Sequence, residues 1–133
     1  MPTLPKRSFL GLLVFAVVVI AITGFAGEAA AQVFQGPFAM TSPTAVTFTM
    51  TVTLHPGGPA TYTMATLQGR VFDRGFLAAS VNGSSVNGYF QTTTFPNTRP
   101  CVFSGTVNGP VAILNADPTS CGLVGTVTLT RIS

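Results

Sequence analysis

The chain has 133 residues, a formal net charge of +3 and only 7% charged residues, which is enough length for one domain with a buried core. From Gln32 onward it carries four arginines and two aspartates, at isolated positions and with no lysine or glutamate. Nucleic-acid binding needs basic residues clustered on one face, so this distribution of charge excludes a nucleic-acid partner.

Residues 1–31 have the layout of a secretory signal peptide. Two basic residues precede an apolar run from Phe9 to Ile22, and three alanines end at Ala31. A charged start, a short apolar middle and a small-residue cleavage site are the three regions of such a peptide. We therefore expect cleavage between Ala31 and Gln32, and export to the periplasm or the extracellular space. The alternative is a membrane contact through this segment left uncleaved, because its uncharged stretch is nearly long enough to span a bilayer.

The remaining residues, 32–133, are predicted to form a single β-rich domain. A strand is expected around 33–38, and a clearer one follows at 46–54, where large apolar residues and threonines alternate without a break. A period of two places the apolar residues on one face of the strand and the threonines on the other. The prolines and glycines of residues 55–59 then predict a turn.

Alternation resumes after this turn and changes phase near Met64, which predicts a bulge. The apolar face is then expected to continue through Leu67 and Val71. Residues 73–75, with the sequence Asp-Arg-Gly, predict a turn before the next strand. The Asn-Gly pair at 82–83 is the strongest hairpin signal in the chain.

Two further reversals are predicted at 108–110 and 117–118, and the last strand is expected at 122–131. No segment after the predicted cleavage site shows the spacing of three or four that marks a helix. The short, contiguous hairpins favour an all-β, antiparallel up-and-down meander of seven or eight strands that closes into a small barrel. A β-sandwich is the alternative.

Two cysteines, Cys101 and Cys121, follow the predicted cleavage site. In an oxidising compartment an even number of cysteines indicates a disulfide, and two cysteines allow only one intramolecular pairing. Each cysteine directly follows a loop, and two strands are expected between them, so a meander would bring both loops to the same end of the sheet. We therefore predict a Cys101–Cys121 disulfide. The alternative, a pair of metal-binding or redox thiols, lacks further Cys or His ligands nearby.

Side chains able to do chemistry are few after Gln32. General acid or base catalysis needs a positioned His or carboxylate, and only His55, Asp73 and Asp117 are present. All three are predicted in turns, and Asp73, beside Arg74, is expected to form a surface ion pair. The sequence has no Gly-x-Ser-x-Gly elbow, phosphate loop, zinc spacing or calcium loop. We therefore predict a non-catalytic protein that uses no cofactor and no metal.

Three functions remain compatible with the sequence. The first is a structural or interaction role in the cell envelope or the extracellular space, with the threonines on the solvated face of the sheet. The second is carriage of a small apolar ligand, for which an eight-stranded barrel leaves room. Large side chains would then line the cavity, namely Phe48, Met50, Tyr62, Phe90 and Phe103. The third is binding of ice or a carbohydrate by an array of exposed threonines, Thr47, Thr49, Thr51 and Thr53. Threonines of other predicted strands could extend this array, namely Thr61, Thr63, Thr92, Thr94, Thr126, Thr128 and Thr130.

Overall fold

Alternating side chains give each of eight strands one apolar face, and the strands close these faces into a barrel. The computed structural model describes residues 31–133. The strands are β1 (Gln32–Ser42), β2 (Val46–Leu54), β3 (Ala60–Ala65), β4 (Val71–Asn82), β5 (Ser85–Thr92), β6 (Cys101–Asn108), β7 (Val111–Ala116) and β8 (Val124–Arg131). Each pairs antiparallel with the next and β8 pairs with β1. The all-β up-and-down barrel is confirmed, and the alternative β-sandwich is not formed.

The predicted signal peptide lies outside the described residues, apart from Ala31. Several strand predictions are confirmed within them. Strand β2 spans the predicted residues, and its Met50, Val52 and Leu54 are buried inside the barrel. Strand β1 is longer than expected at both ends. The predicted hairpin between β4 and β5 is present, but its two-residue turn lies one position later than the Asn-Gly pair indicated, because Asn82 pairs with Ser85 and the turn is Gly83 and Ser84.

The turn predicted at residues 73–75 is wrong, because β4 runs through it without interruption. The chain reverses earlier, at a turn closed by a hydrogen bond of 2.8 Å from the Gly69 N–H to the Thr66 carbonyl. Leu67, expected on the apolar face, lies in this turn and is 67% exposed. The bulge predicted near Met64 is confirmed by a register shift just after it.

A single helical turn, α1 (Pro118–Cys121), corrects the expectation that the domain has no helix. Its four residues are too few to show a helical repeat of apolar residues, so only the capping residues at its two ends indicate it in the sequence. Asp117 caps the first turn by accepting a hydrogen bond of 3.2 Å from the Ser120 N–H, and Gly122 ends it in the left-handed conformation. The last residue of α1 forms the predicted disulfide with the first residue of β6, their Cα atoms 4.4 Å apart.

Glycines at inward positions let the sheet curl into a barrel. At five of them, an added Cβ would overlap an atom of a neighbouring strand: Gly36, Gly75, Gly88, Gly105 and Gly125. At Gly105 the obstructing atom is the carbonyl oxygen of Ile113 on β7, and at Gly36 it is that of Thr128 on β8. Glycines inside strands mark such close approaches and sharp bends at barrel corners. Barrel closure therefore depends on the absence of side chains at these positions.

We expect the substitution Gly105→Ala to lower the free energy of unfolding by about 1–3 kcal/mol, the usual cost of overpacking. The matched control is Gly58→Ala, in an exposed turn where the nearest atom to an added Cβ is the Cβ of His55, at 3.8 Å. This control should change stability by no more than about 0.5 kcal/mol. Urea unfolding of both variants measures the difference, and equal effects would contradict the role of Gly105 in closing the barrel.

Replacing both Cys101 and Cys121 by alanine should lower the free energy of unfolding by about 3 kcal/mol. The disulfide joins residues 20 positions apart, and opening a loop of this length increases the conformational entropy of the unfolded chain. Urea unfolding tests this value. A reducing agent should produce a similar loss in the parent protein and none in the double variant. An unchanged unfolding midpoint in the double variant would show that the disulfide does not stabilise the fold.

Candidate ligand-binding cavity

The two ends of the barrel are built differently. At one end lie Gln32, the end of β8 and the turns after β2, β4 and β6; we call it the N-terminal end. At the other lie the turns after β1 and β3, the longer loop after β5, and α1 with its disulfide; we call it the disulfide end. Because successive strands run up and down, every second connection falls at the same end. The side chains that fill the interior of the barrel also differ between these two ends.

A cavity of about 150 Å³ lies inside the barrel towards the N-terminal end. Thirteen described residues from seven strands and the β6–β7 turn line it, and none has a polar side chain. Two of them, Ala79 on β4 and Ala112 on β7, are small residues at inward positions. Because an alanine fills much less of the lumen than a phenylalanine, these positions leave space unfilled. The lining reaches the exposed turn residue Gly109.

Of the five residues predicted to line a cavity, Phe103 does so and the other four do not. Phe90 packs between two aromatic rings, with ring centroids 5.3 Å from Tyr62 and 4.6 Å from Phe103. Met50 is 1% exposed, and Phe48 packs against another ring nearer the disulfide end. The structure therefore brings the large predicted side chains together as a packed core. Phe103 is the point where this core meets the cavity.

The aliphatic and small residues that form most of the cavity wall were not predicted from the sequence. Leu54, Leu114 and Leu129 are buried and line it, together with Ala79 and Ala112. A usable signal was present in the strand pattern, since alanines at inward positions leave less of the lumen filled. The sequence does not show, however, that the alanines of β4 and β7 face the same space. These two strands are not neighbours in the sheet.

A polar cluster lies inside the barrel at the disulfide end. The Tyr62 hydroxyl donates a hydrogen bond of 3.0 Å to Asp73 Oδ2, and the Thr92 hydroxyl donates one of 2.6 Å to Asp73 Oδ1. Asp73 lies opposite Met64 on an inward position of β4. The predicted surface ion pair of Asp73 is thus wrong, because alternation along β4 turns this carboxylate away from Arg74. Burial and the nearby carboxylate raise the pKa of the Tyr62 phenol far above its ordinary value.

The remaining titratable candidates stay outside the barrel lumen. His55 is exposed in the turn after β2, where its Nε2 shares a hydrogen bond of 2.9 Å with the Thr61 hydroxyl. Asp117 is exposed and caps α1 at the opposite end. Among residues 31–133, no three His, Cys, Asp or Glu side chains come together as a group that could hold a metal ion. No helix in this part of the chain is long and apolar enough to cross a membrane.

The threonines of β2 form part of the outer surface. Thr51 lies opposite Thr63 on β3 and opposite Gln35 on β1, whose carboxamide donates a hydrogen bond of 2.9 Å to the Thr51 hydroxyl. The threonines of β8 are separated from this row by β1, because β8 pairs with β1 and not with β2. Thr92 belongs to the internal polar cluster. The predicted array is therefore interrupted, and the barrel curves it away from a plane.

We expect the raised pKa of Tyr62 to make stability fall at high pH. Below about pH 10 the phenol is protonated in both the folded and the unfolded protein. Above it, the unfolded chain loses this proton while the folded chain keeps it, so unfolding is favoured by up to about 1.4 kcal/mol per pH unit. The substitution Tyr62→Phe removes this contribution. Urea unfolding at pH 8 and at about pH 11 should show a smaller loss for the variant than for the parent protein, and equal losses would contradict the assignment.

No match was found when the chain was compared with protein-family models, with curated proteins and with solved structures. The cavity at the N-terminal end has an apolar wall and a floor that contains Phe103, and the packed aromatic core closes it below.

Proposed function

We propose that this protein is an exported, non-catalytic barrel that carries a small apolar molecule in its cavity. The observation that supports this is a cavity of about 150 Å³ with thirteen lining residues and no polar side chain among them. An apolar cavity of this volume has room for a molecule the size of benzene. The proposed ligand is therefore small and apolar, and its binding relies on exclusion from water.

The energetic cost of an unfilled cavity also supports a binding role. Protein interiors are normally packed as densely as organic crystals. At about 24 cal/mol per Å³, a cavity of this size costs at most roughly 3–4 kcal/mol relative to a filled core, because it is partly open to solvent. That is a large fraction of the stability of a small domain, which is usually about 5–15 kcal/mol. A purely structural barrel would gain by replacing Ala79 or Ala112 with a larger residue.

The disulfide and the predicted signal peptide support export. Disulfides form and persist in the periplasm and outside the cell, and they are rare in the cytosol. The Cys101–Cys121 pair joins two loops at one end of the barrel and leaves the cavity at the other. The non-catalytic role is supported by the lining, which offers no nucleophile, acid or base to a bound molecule.

An interaction role is the second candidate, and a patch on the outer surface favours it. Phe76, Tyr89 and Val102 are 46%, 42% and 44% exposed. Tyr89 lies directly opposite Val102 on β6 and opposite Ala78 on β4, two positions beyond Phe76. These side chains form one apolar area across three neighbouring strands. Contiguous exposed apolar surface is a feature of protein interaction sites.

The carrier proposal predicts that benzene binds the exported protein and that Ala112→Phe abolishes binding. Because Ala112 lines the cavity, the phenylalanine ring at this position would fill the space that benzene needs. Isothermal titration calorimetry measures binding directly, and saturating benzene should also raise the melting temperature of the parent protein, because it binds only the folded state. The matched control is Ala39→Phe, an exposed position on β1, which should bind like the parent.

A thermal melt of each variant without benzene establishes that it is folded. If the parent protein does not bind benzene, or if Ala112→Phe binds it as the parent does, the cavity is not the ligand site. The interaction role then becomes the better proposal. In that case Tyr89→Ser would be compared with the parent for capture of a partner.

A further inference from the structure

The cavity has a closed end and an open end. Along β6 its lining passes from Phe103, which is 2% exposed, through the half-buried Val107 to the exposed turn residue Gly109. Along β7 the lining passes from the buried Leu114 to the half-buried Ala112. On both strands the exposure of the wall rises towards the N-terminal end of the barrel. The mouth of the cavity therefore lies beside the β6–β7 turn.

The cavity is also elongated along the barrel. Leu77, Ala79 and Val81 occupy successive inward positions of β4, and all three line it. At a rise of about 3.3 Å per residue, the first and the last are about 13 Å apart along the strand. Exposure increases in the same direction here, because Leu77 is buried and Val81 is half-buried. A molecule that fills the cavity would therefore be elongated, with one end at the mouth.

The floor and the mouth offer opposite surroundings to the two ends of such a molecule. At the floor, Phe103 packs against Phe90 with ring centroids 4.6 Å apart, and a polar group placed there would lose its hydration without gaining a partner. The β4–β5 and β6–β7 turns border the mouth, and the Val107 N–H donates a hydrogen bond of 2.8 Å to the Ser84 carbonyl between them. Ser84 and Asn108 are exposed in this region. A polar group at the mouth would remain in contact with water.

We propose that the cavity takes single-chain amphiphiles, molecules with a straight hydrocarbon chain and one terminal polar group, and that Phe103 limits the length of the chain. This inference rests on the proposed carrier function and names its ligand class. The chain lies along the cavity with its methyl end against the Phe103 ring, and the polar group stays hydrated at the mouth. Hydrogen bonds to the wall are not required, because none of the lining residues has a polar side chain.

Straight-chain primary alcohols from butanol to octanol test the length limit. Isothermal titration calorimetry gives their dissociation constants for the exported parent protein. Each methylene that the cavity buries should lower the dissociation constant about fourfold. This gain should stop once the chain reaches Phe103, since further methylenes would remain in water. In Phe103→Leu, whose smaller side chain lowers the floor, the gain should continue for at least one further methylene.

The matched control is Phe76→Leu. It makes the same change on the outer face of β4, at a position that is 46% exposed. This variant should keep the length limit of the parent protein. Phe103→Met, which also removes the ring and leaves a flexible side chain, replaces Phe103→Leu if a thermal melt shows that this variant does not fold.

A second comparison tests the orientation of the ligand. Straight-chain primary hexanol and its isomer with the hydroxyl on the third carbon contain the same atoms. The isomer has either to bring its hydroxyl against the apolar wall or to bury a shorter chain. We therefore expect the parent protein to bind the isomer at least about tenfold more weakly.

The two proposals fail in different ways. If benzene binds and none of the alcohols does, or if the two hexanols bind equally, the amphiphile class is overturned while the carrier function stands. A length limit that is the same in the parent and in the Phe103 variant, or that moves equally in Phe76→Leu, overturns the role of Phe103. If neither benzene nor any alcohol binds the folded parent protein, the carrier function is overturned and this inference with it.

Discussion

Closure of the sheet between β1 and β8 is the interaction on which the rest of the structure depends. This ladder pairs Phe38 with Val127 and Met40 with Gly125, and it joins residues from the two ends of the described chain. Without the β1–β8 ladder, the sheet would have two open edges and its apolar face would be exposed. Once the ladder is made, the inner faces of all eight strands enclose one volume. Core, cavity and polar cluster all lie in that volume.

The size of the inward side chains then divides this volume into two parts. Aromatic rings and Met50 fill the half towards the disulfide end, where Phe90 touches both Tyr62 and Phe103. Alanines and aliphatic residues surround the other half and leave the cavity. The filled half supplies most of the packing, and the ligand that we propose would occupy the unfilled half without repacking it. The disulfide adds its constraint at the filled end, away from the cavity.

Polar groups inside the barrel show the same division. At the filled end, both oxygens of Asp73 accept hydrogen bonds, and the donors come from β3 and β5 on either side of β4. At the cavity end, the carbonyl oxygen of Gln32 has no such donor. The difference is physical, because Asp73 has two hydroxyl groups on neighbouring inward positions whereas Gln32 has apolar neighbours. The first arrangement stabilises the barrel, and the second leaves a buried acceptor without a partner.

Local patterns in the sequence were sufficient to predict much of the fold. The alternation over 46–54 determined β2 and its buried face, and Gly83 marked the hairpin after β4 because few other residues tolerate its backbone conformation. The positions of Cys101 and Cys121 in a meander were sufficient to predict the disulfide. Local pattern failed at Asp73, where a turn-like triplet lies inside a strand, because the hydrogen bonds that hold it come from residues distant in sequence.

The sequence by itself determined the strand order, the inward and outward faces of most strands and the disulfide, since each follows from the period of two and from turn chemistry. Only the tertiary structure decided what fills the lumen. Ala79 and Ala112 lie on strands that are not neighbours, and they border one cavity because the closed sheet brings β4 and β7 to face each other across it. The same closure placed Gln32 beside Leu54 without a donor. Which side chains meet across a barrel depends on the register of every ladder around it, and no single segment contains that information.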